Sequence, residues 1–231
     1  MIPVRDTIPC ENTPIVTWIL IAVNTVLFLL LKTLEDPAAV QFLHLYGLVP
    51  ARYTDPQWAM NFGYPSENYL PFLSCMFLHA GWVHLLMNMW LLWIFADNIE
   101  DVMGKWRFII FYLICGLIAT LTHVLYNPDS QAPTVGASGA IAGVLGAYFF
   151  LFPYARVIIW IPILFLPIFI QVPAIAFLGV WVIYQLYEVT TAIVIGREYL
   201  EVGWWGHLGG FIVGAVLHRF FLSRDSQRST T

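Results

Sequence analysis

Residues 133–148 read PTVGASGAIAGVLGAY, with one serine, Ser138, between glycines at the start of a long uncharged run. Small residues in a membrane helix usually allow a neighbouring helix to approach closely. Ser138 is therefore either one of these packing residues or a reactive hydroxyl. The rest of the sequence is needed to decide between the two.

The composition is that of a membrane protein. Of the 231 residues, 60% are hydrophobic and 10% are charged, whereas soluble domains carry about 25% charged residues. The formal net charge is −4 and the lysines and arginines are spread along the chain, which argues against a nucleic-acid partner. Cys10, Cys75 and Cys115 lack the spacing of a metal site or a disulfide framework.

Six stretches are apolar enough to cross a bilayer, for which about 20 residues are required. They are residues 15–31, a run between Glu67 and Asp97, and residues 108–126, 138–154, 173–189 and 204–221. Residues 157–172 are also uncharged, but they contain Pro162 and Pro167 and are too short to supply another span and a turn. We predict an irregular or re-entrant connector there.

The positive-inside rule sets the expected orientation. With both termini inside, the inner segments hold most of the basic residues, and only Lys32, Arg52 and Arg197 lie outside. The predicted fold is an all-α membrane protein with six transmembrane helices and an interfacial first loop. Its expected parts are a cytoplasmic segment 1–14, a six-span domain 15–223 and a cytoplasmic tail 224–231, in a bacterial plasma (inner) membrane.

Polar side chains collect at one depth of this predicted bundle. In the expected orientation, the second, fourth and sixth spans all begin in the outer leaflet. Polar groups inside a membrane are costly and therefore indicate function. Those near the three starting points are His79, His84 and Asn88 in the second span, Ser138 in the fourth and His207 in the sixth. The histidines at 123 and 218 have no such companions.

The spacing of these residues favours a shared site. His84 and Asn88 are four residues apart, so both side chains lie on one face of a helix. Ser138 falls in the first turn of its predicted helix, where free backbone N–H groups and the helix dipole stabilise negative charge.

Two rows of small residues predict how the helices meet. Gly206, Gly210 and Gly214 form one row in the sixth span, and Gly139 and Gly143 begin another in the fourth. Such rows allow helix backbones to approach closely. If the two rows face each other, the hydroxyl and the imidazole at their ends come within hydrogen-bonding distance, as nucleophilic catalysis requires.

Three segments together resemble the rhomboid intramembrane serine proteases: GASG around Ser138, HAGWVHLLMN at residues 79–88 and GHLGGFIVG at residues 206–214. The resemblance implies a six-helix rhomboid-like bundle with Ser138 as nucleophile and His207 as general base. It implies oxyanion stabilisation by the Ser138 N–H, Asn88 and His84. It also implies supporting roles for His79, Gly136 and Gly139 at the site, and for Glu100 as a brace on the cytoplasmic side.

The chain departs from the family pattern in two places. Ala142 stands where members commonly have an aromatic residue that packs on the catalytic imidazole, so another group would have to orient His207. Leu70 and Pro71 replace a Trp-Arg pair in the first loop, which leaves open how that loop is held. Neither change removes a reacting group.

The implied function is hydrolysis of single-span membrane proteins near the outer leaflet, with the lipid bilayer as the other partner and with no cofactor, metal or nucleic acid. Two alternatives stay open: a transporter or channel, and a non-catalytic rhomboid relative that binds membrane clients. A transport path would need polar residues that continue inward, whereas the inner halves of the spans are almost wholly apolar. A zinc protease is disfavoured because there is no HExxH motif, and a presenilin-like protease because no span holds paired carboxylates.

Overall fold

The computed structural model describes residues 2–64, 67–163, 166–195 and 203–223 and consists of long helices beside a small sheet. The helices are α1 (Ile15–Lys32), α2 (Asp36–Tyr46), α3 (Ala51–Thr54), α4 (Pro56–Asn61), α5 (Pro71–Ser74), α6 (Trp82–Met103), α7 (Lys105–Tyr126), α8 (Ser138–Leu151), α9 (Ala174–Ile195) and α10 (Trp204–Phe221), with a 3₁₀ turn at Cys75–Phe77. The strands are β1 (Ile2–Arg5), β2 (Arg156–Ile163) and β3 (Leu166–Pro173).

Three or four helices of the described chain are long and apolar enough to cross a membrane. Three qualify alone: α1, α7 and the Ala174–Val194 part of α9. A fourth is obtained if α5 with its 3₁₀ turn is joined to α6, a pair that bends by 88°. Helix α8 begins at Ser138 and α10 runs from residue 204 to 221, as predicted, while α9 continues past the predicted end at residue 189.

Residues 157–163 and 166–172 pair as β-strands, so the prediction of an irregular connector is wrong. The fold is mostly helical, as predicted for a rhomboid-like bundle, but it is not all-α, because it includes this small sheet. Strands β2 and β3 pair antiparallel, and β1 pairs antiparallel with β2. Val157 and Ile159 are buried on one face of β2, while Trp160 is exposed on the other, which is the alternation of a half-buried strand. The pairing of β2 with β3 gives hydrogen-bond partners to backbone N–H and C=O groups that an irregular segment would leave without partners.

The N-terminal segment runs along α6, so that β1 and the sheet lie beside the middle of this helix. Asn12 donates its backbone N–H to Asp101 near one end of α6 (3.1 Å), and Trp90 donates its indole N–H to the carbonyl of Pro3 (2.6 Å). Residues 90 and 101 are about 16 Å apart along the helix axis. Strand β1 therefore lies beside the middle of α6 rather than below its end.

Glu100 joins the end of α6 to the beginning of α1. Its buried carboxylate accepts the backbone N–H groups of Val16 (2.9 Å) and Thr17 (2.8 Å) and the hydroxyl of Thr17 (2.9 Å). These N–H groups belong to the first turn of α1, where the helix supplies no acceptor. The carboxylate thus holds the beginning of α1 against the end of α6.

Helix α8 is the centre of the bundle, and α10 lies against its backbone. All residues of α8 from Ala140 to Tyr148 are buried. A methyl group at Gly210 would overlap the carbonyl oxygen of Gly139, and one at Gly214 would overlap that of Gly143. The two rows of small residues therefore face each other, as predicted.

We expect Gly214→Ala to destabilise the protein by about 1–3 kcal/mol, because the added methyl must push α10 away from α8. The measurement is the thermal unfolding midpoint of the detergent-purified protein. Gly179→Ala in α9 is the matched control, since a methyl there would meet nothing within 4 Å. Equal unfolding midpoints for the two variants would contradict the close packing of α8 and α10.

Candidate active site

The packing of α8 and α10 brings Ser138 and His207 together. Ser138 is the first residue of α8, and His207 lies in the first turn of α10. The hydroxyl oxygen of Ser138 lies 2.7 Å from Nε2 of His207, which is a hydrogen-bonding distance. The two residues are far apart in sequence, and the facing glycine rows place the beginnings of their helices side by side.

Three side chains that the sequence analysis did not select surround the imidazole of His207. Oε1 of Gln185 on α9 lies 3.0 Å from Nδ1. The ring centroids of Trp204 and Trp181 lie 5.8 Å and 6.3 Å from that of the histidine. Trp181 and Trp204 place aromatic rings near His207, where Ala142 supplies none. A lone amide in the uncharged run of α9 was the signal that could have identified Gln185.

His84 lies directly beside Ser138, against Gly136. A methyl group at Gly136 would be 2.6 Å from Nε2 of His84 and 3.7 Å from the hydroxyl oxygen of Ser138. Gly136 also has a φ of +132°, a region that other residues rarely adopt. Two independent constraints therefore require glycine at this position.

Asn88 on α6 and His79, which precedes that helix, accompany His84. The amide nitrogen of Asn88 donates one hydrogen to the carbonyl of His84 (2.9 Å), and a carboxamide carries a second. His79 is fully buried with its ring centroid 5.0 Å from that of His84. In the described part of the chain, neither ring nitrogen of His79 has a hydrogen-bond partner.

The loop before α8 is fixed from two sides. Thr134 and Leu48 exchange backbone hydrogen bonds of 2.8 Å and 3.0 Å, and Gly136 donates to the carbonyl of Cys75 (2.9 Å). The hydroxyl of Thr134 also lies 2.8 Å from Nε2 of His123. His123 therefore has a companion, contrary to the sequence analysis, and it holds the segment that leads to Ser138.

The first loop is organised around Arg52 rather than around residues 70 and 71. Arg52 is buried and donates to the carbonyl of Leu45 (3.3 Å). Its guanidinium carbon lies 5.7 Å and 5.3 Å from the ring centroids of Tyr53 and Tyr64, within the range of cation–π attraction. A buried cation thus connects separate parts of this loop.

The remaining glycines of the prediction serve helix packing. A methyl at Gly139 would lie 2.6 Å from the side chain of Ala119, and one at Gly206 would lie 3.2 Å from the carbonyl oxygen of Ala119. Ala119 of α7 therefore packs against the beginnings of both α8 and α10.

A cavity of about 1170 Å³ contains these groups. Its lining includes Asn88, Ser138, Gln185 and His207, together with apolar residues such as Ala142. Ligand pockets usually measure about 300–1,000 Å³, so this cavity is slightly larger than the usual range. No cluster of three or more His, Cys, Asp or Glu side chains suited to a metal occurs within the described ranges.

The arrangement has the parts needed for acyl transfer. A hydroxyl contacts an imidazole nitrogen, while the first-turn N–H groups of α8, an amide and a second imidazole border the same cavity. Hydroxyl–imidazole pairs of this kind activate a nucleophile. The neighbouring donors are of the type that stabilises an oxyanion.

Comparison with known proteins gives one family. The profile of the rhomboid domain matches residues 66–224. The chain is 25% identical to Rhomboid protein 1, mitochondrial, of Saccharomyces cerevisiae over 83% of its length and 49% of that protein. It is 33% identical to YdcA of Bacillus subtilis, described as a candidate rhomboid protease, over 47% of this chain and 56% of that protein.

A third relative is the bovine presenilin-associated rhomboid-like protein, mitochondrial, which is 30% identical over 62% of this chain and 36% of its own length. The matched regions span about half of these relatives or less. Two of the three are mitochondrial, so the expected location in a bacterial plasma membrane is not supported. The similarity does support a multi-pass membrane protein.

Gly136→Ala should reduce the reactivity of Ser138, because the methyl must displace the His84 ring and strain a positive φ. The measurement is the rate at which a fluorophosphonate labels the purified protein. Gly179→Ala on α9, at a glycine with nothing within 4 Å of the added methyl and outside the cavity lining, serves as control and should label at the wild-type rate. Wild-type labelling of Gly136→Ala would show that the tight approach of His84 has no bearing on the serine.

Proposed function

The chain belongs to the rhomboid family, and from this membership and the Ser138–His207 geometry we propose that it is a serine endopeptidase that acts within the membrane. The observation that carries the proposal is the 2.7 Å separation between the serine hydroxyl and Nε2 of the histidine. In a hydrophobic bundle, a hydroxyl and an imidazole on separate helices meet at the end of a large cavity. A packing serine would not need such a partner.

The proposed reaction proceeds through an acyl-enzyme. His207 accepts the proton of Ser138 through Nε2 while the serine oxygen attacks a peptide carbonyl. The resulting tetrahedral species collapses when the peptide C–N bond breaks, and the imidazolium gives its proton to the departing amine. Water then attacks the ester with His207 again as base, which releases the acid product and regenerates the hydroxyl.

The negative charge of the tetrahedral species would be stabilised by groups that already border Ser138. The Ser138 N–H belongs to the first turn of α8 and has no acceptor within the helix. Asn88 offers its second amide hydrogen, and the imidazole of His84 lies against Gly136 next to the serine. Prearranged donors act strongly where water is scarce.

A six-span topology, with both termini on the inner side, is part of the proposal. The six transmembrane helices would then be α1, α6, α7, α8, α9 and α10. The 14 residues of α8 extend only about 21 Å, which is short for a span exposed to lipid. Because α8 is buried among the other helices, it need not match the bilayer thickness. This orientation places the cavity towards the outer side.

Single-span membrane proteins are the proposed substrates. A helix keeps its peptide carbonyls in its own hydrogen bonds, so cleavage requires a segment that unwinds. A volume of about 1170 Å³ leaves room for an extended stretch of polypeptide. Helix-weakening residues near the outer face should therefore favour cleavage.

Two other functions explain the site less well. A transport path would have to continue through the bundle, whereas Leu91, Ala142 and Leu145 give the cavity an apolar wall further along α6 and α8. A non-catalytic rhomboid relative would not need a hydroxyl and an imidazole in contact, and this chain keeps both.

Ser138→Ala should abolish both cleavage of a reconstituted single-span substrate and labelling by a fluorophosphonate. The measurements use purified protein in liposomes, with product detected by gel and labelling by fluorescence. Ser130→Ala, outside the cavity, is the control and should behave as wild type. Labelling or cleavage that survives in Ser138→Ala would assign the nucleophile to another residue and overturn the proposal.

Asn88→Ala should lower kcat by about 10²–10³, the usual effect of losing one oxyanion donor, with a smaller change in KM. The thermal midpoint should stay close to that of wild type, because Asn88 bonds only to the carbonyl of its own helix turn in the contacts described above. Asn61→Ala on α4 is the control. A variant that is fully active, or inactive only because it unfolds, would remove Asn88 from the oxyanion site.

A further inference from the structure

We propose that Gln185 of α9 is a positioning residue that holds His207 in the tautomer able to accept the proton of Ser138. This inference rests on the proposed function, since it concerns the same reaction. It adds a third helix and a neutral amide to a pair that the resemblance describes as complete.

The two hydrogen bonds of the imidazole define the tautomer. Nε2 lies 2.7 Å from the serine hydroxyl, and Nδ1 lies 3.0 Å from Oε1 of Gln185. In neutral imidazole one nitrogen is a donor and the other an acceptor. Because Oε1 can only accept, it selects the ring with hydrogen on Nδ1. Nε2 then has a free lone pair directed at the serine proton.

The alternative tautomer would be unproductive. With hydrogen on Nε2, the ring would donate to the serine oxygen and could not act as its base. Rotation of the ring about its χ2 angle would also move Nε2 away from the hydroxyl. A fixed acceptor at Nδ1 opposes both changes.

Gln185 is a buried polar residue on α9, where Ala174, Leu178 and Val189 are the buried apolar ones among the described residues. Its side chain is 3% exposed, whereas the neighbouring Ile183 and Leu186 are 66% and 45% exposed. A buried amide costs free energy unless it forms hydrogen bonds. Trp181, four residues earlier on the same face, packs near His207 as well. This face of α9 is therefore directed at the imidazole.

A neutral amide suits this environment better than a carboxylate. A carboxyl group in a low-dielectric bundle stays neutral unless it is paired, and in either form it still presents an oxygen to Nδ1–H. The amide is neutral without a partner. Gln185 supplies the orientation that a carboxylate gives in other hydrolases without adding a charge.

The test is Gln185→Leu, which removes the acceptor and keeps most of the apolar packing. We expect the fluorophosphonate labelling rate and kcat to fall roughly 10- to 100-fold, with KM and the thermal midpoint near wild type. Gln171→Leu on β3 makes the same chemical change at an exposed position and should have no effect. Gln185→Glu keeps an acceptor of the same length and should recover most of the lost rate.

A spectroscopic measurement separates positioning from packing. In protein labelled with ¹⁵N-histidine, the NMR signals of His207 should show hydrogen on Nδ1 in wild type and a mixture of tautomers in Gln185→Leu. Wild-type labelling rates and an unchanged tautomer in this variant would overturn the inference. So would equal losses in the Leu and Glu variants together with lower thermal midpoints.

The failures of the two proposals are distinguishable. If Ser138→Ala still cleaves and labels, the proposed function fails whatever residue 185 does. If Ser138→Ala is inactive while Gln185→Leu retains full activity, only the positioning role fails. Should Gln185→Leu not fold, Gln185→Glu decides: near-wild-type rates support an acceptor at Nδ1, and an inactive, folded protein overturns it.

Discussion

The contact on which the site depends is the backbone approach of α8 and α10. At Gly210 and Gly214 there is no room for a methyl group, because the carbonyl oxygens of Gly139 and Gly143 occupy that space. A hydrogen bond tolerates changes of only a few tenths of an ångström. The distance between Ser138 and His207 thus depends on the absence of side chains at these glycines, which lets the two helix backbones touch.

The sequence predicts the features that depend on neighbouring residues. The beginning of α8, both ends of α10 and the facing glycine rows follow from apolar length and spacing. The β-hairpin does not, because an uncharged run with prolines has the same composition whether or not it pairs. Pro162 and Pro167 lie opposite each other in the register of β2 and β3. The Gln185 contact likewise depends on how α9 turns towards α10.

Polar groups are divided between two ends of the bundle. One set surrounds Ser138, and another joins the N-terminal segment to α6 and α8, where Tyr148 donates to Asp6 and Asp101 accepts from Asn12.

Burial, and then the charges of Asp101 and Asp97, raise the pKa of the Cys10 thiol to about 11. Cys10 therefore remains protonated at neutral pH. The acidic end holds the structure together, while the reactive end carries no carboxylate among the groups described above.

Distance and orientation in the Ser138–His207 pair come from different helices. The α8–α10 contact is backbone against backbone and leaves little freedom, so it sets the distance. The orientation of the His207 ring comes from Gln185 on α9. Of the residues in the apolar stretch of α9, 17% are buried, against 39% for α7. Helix α9 is thus packed less fully than α7, and the contact at Nδ1 depends on its position.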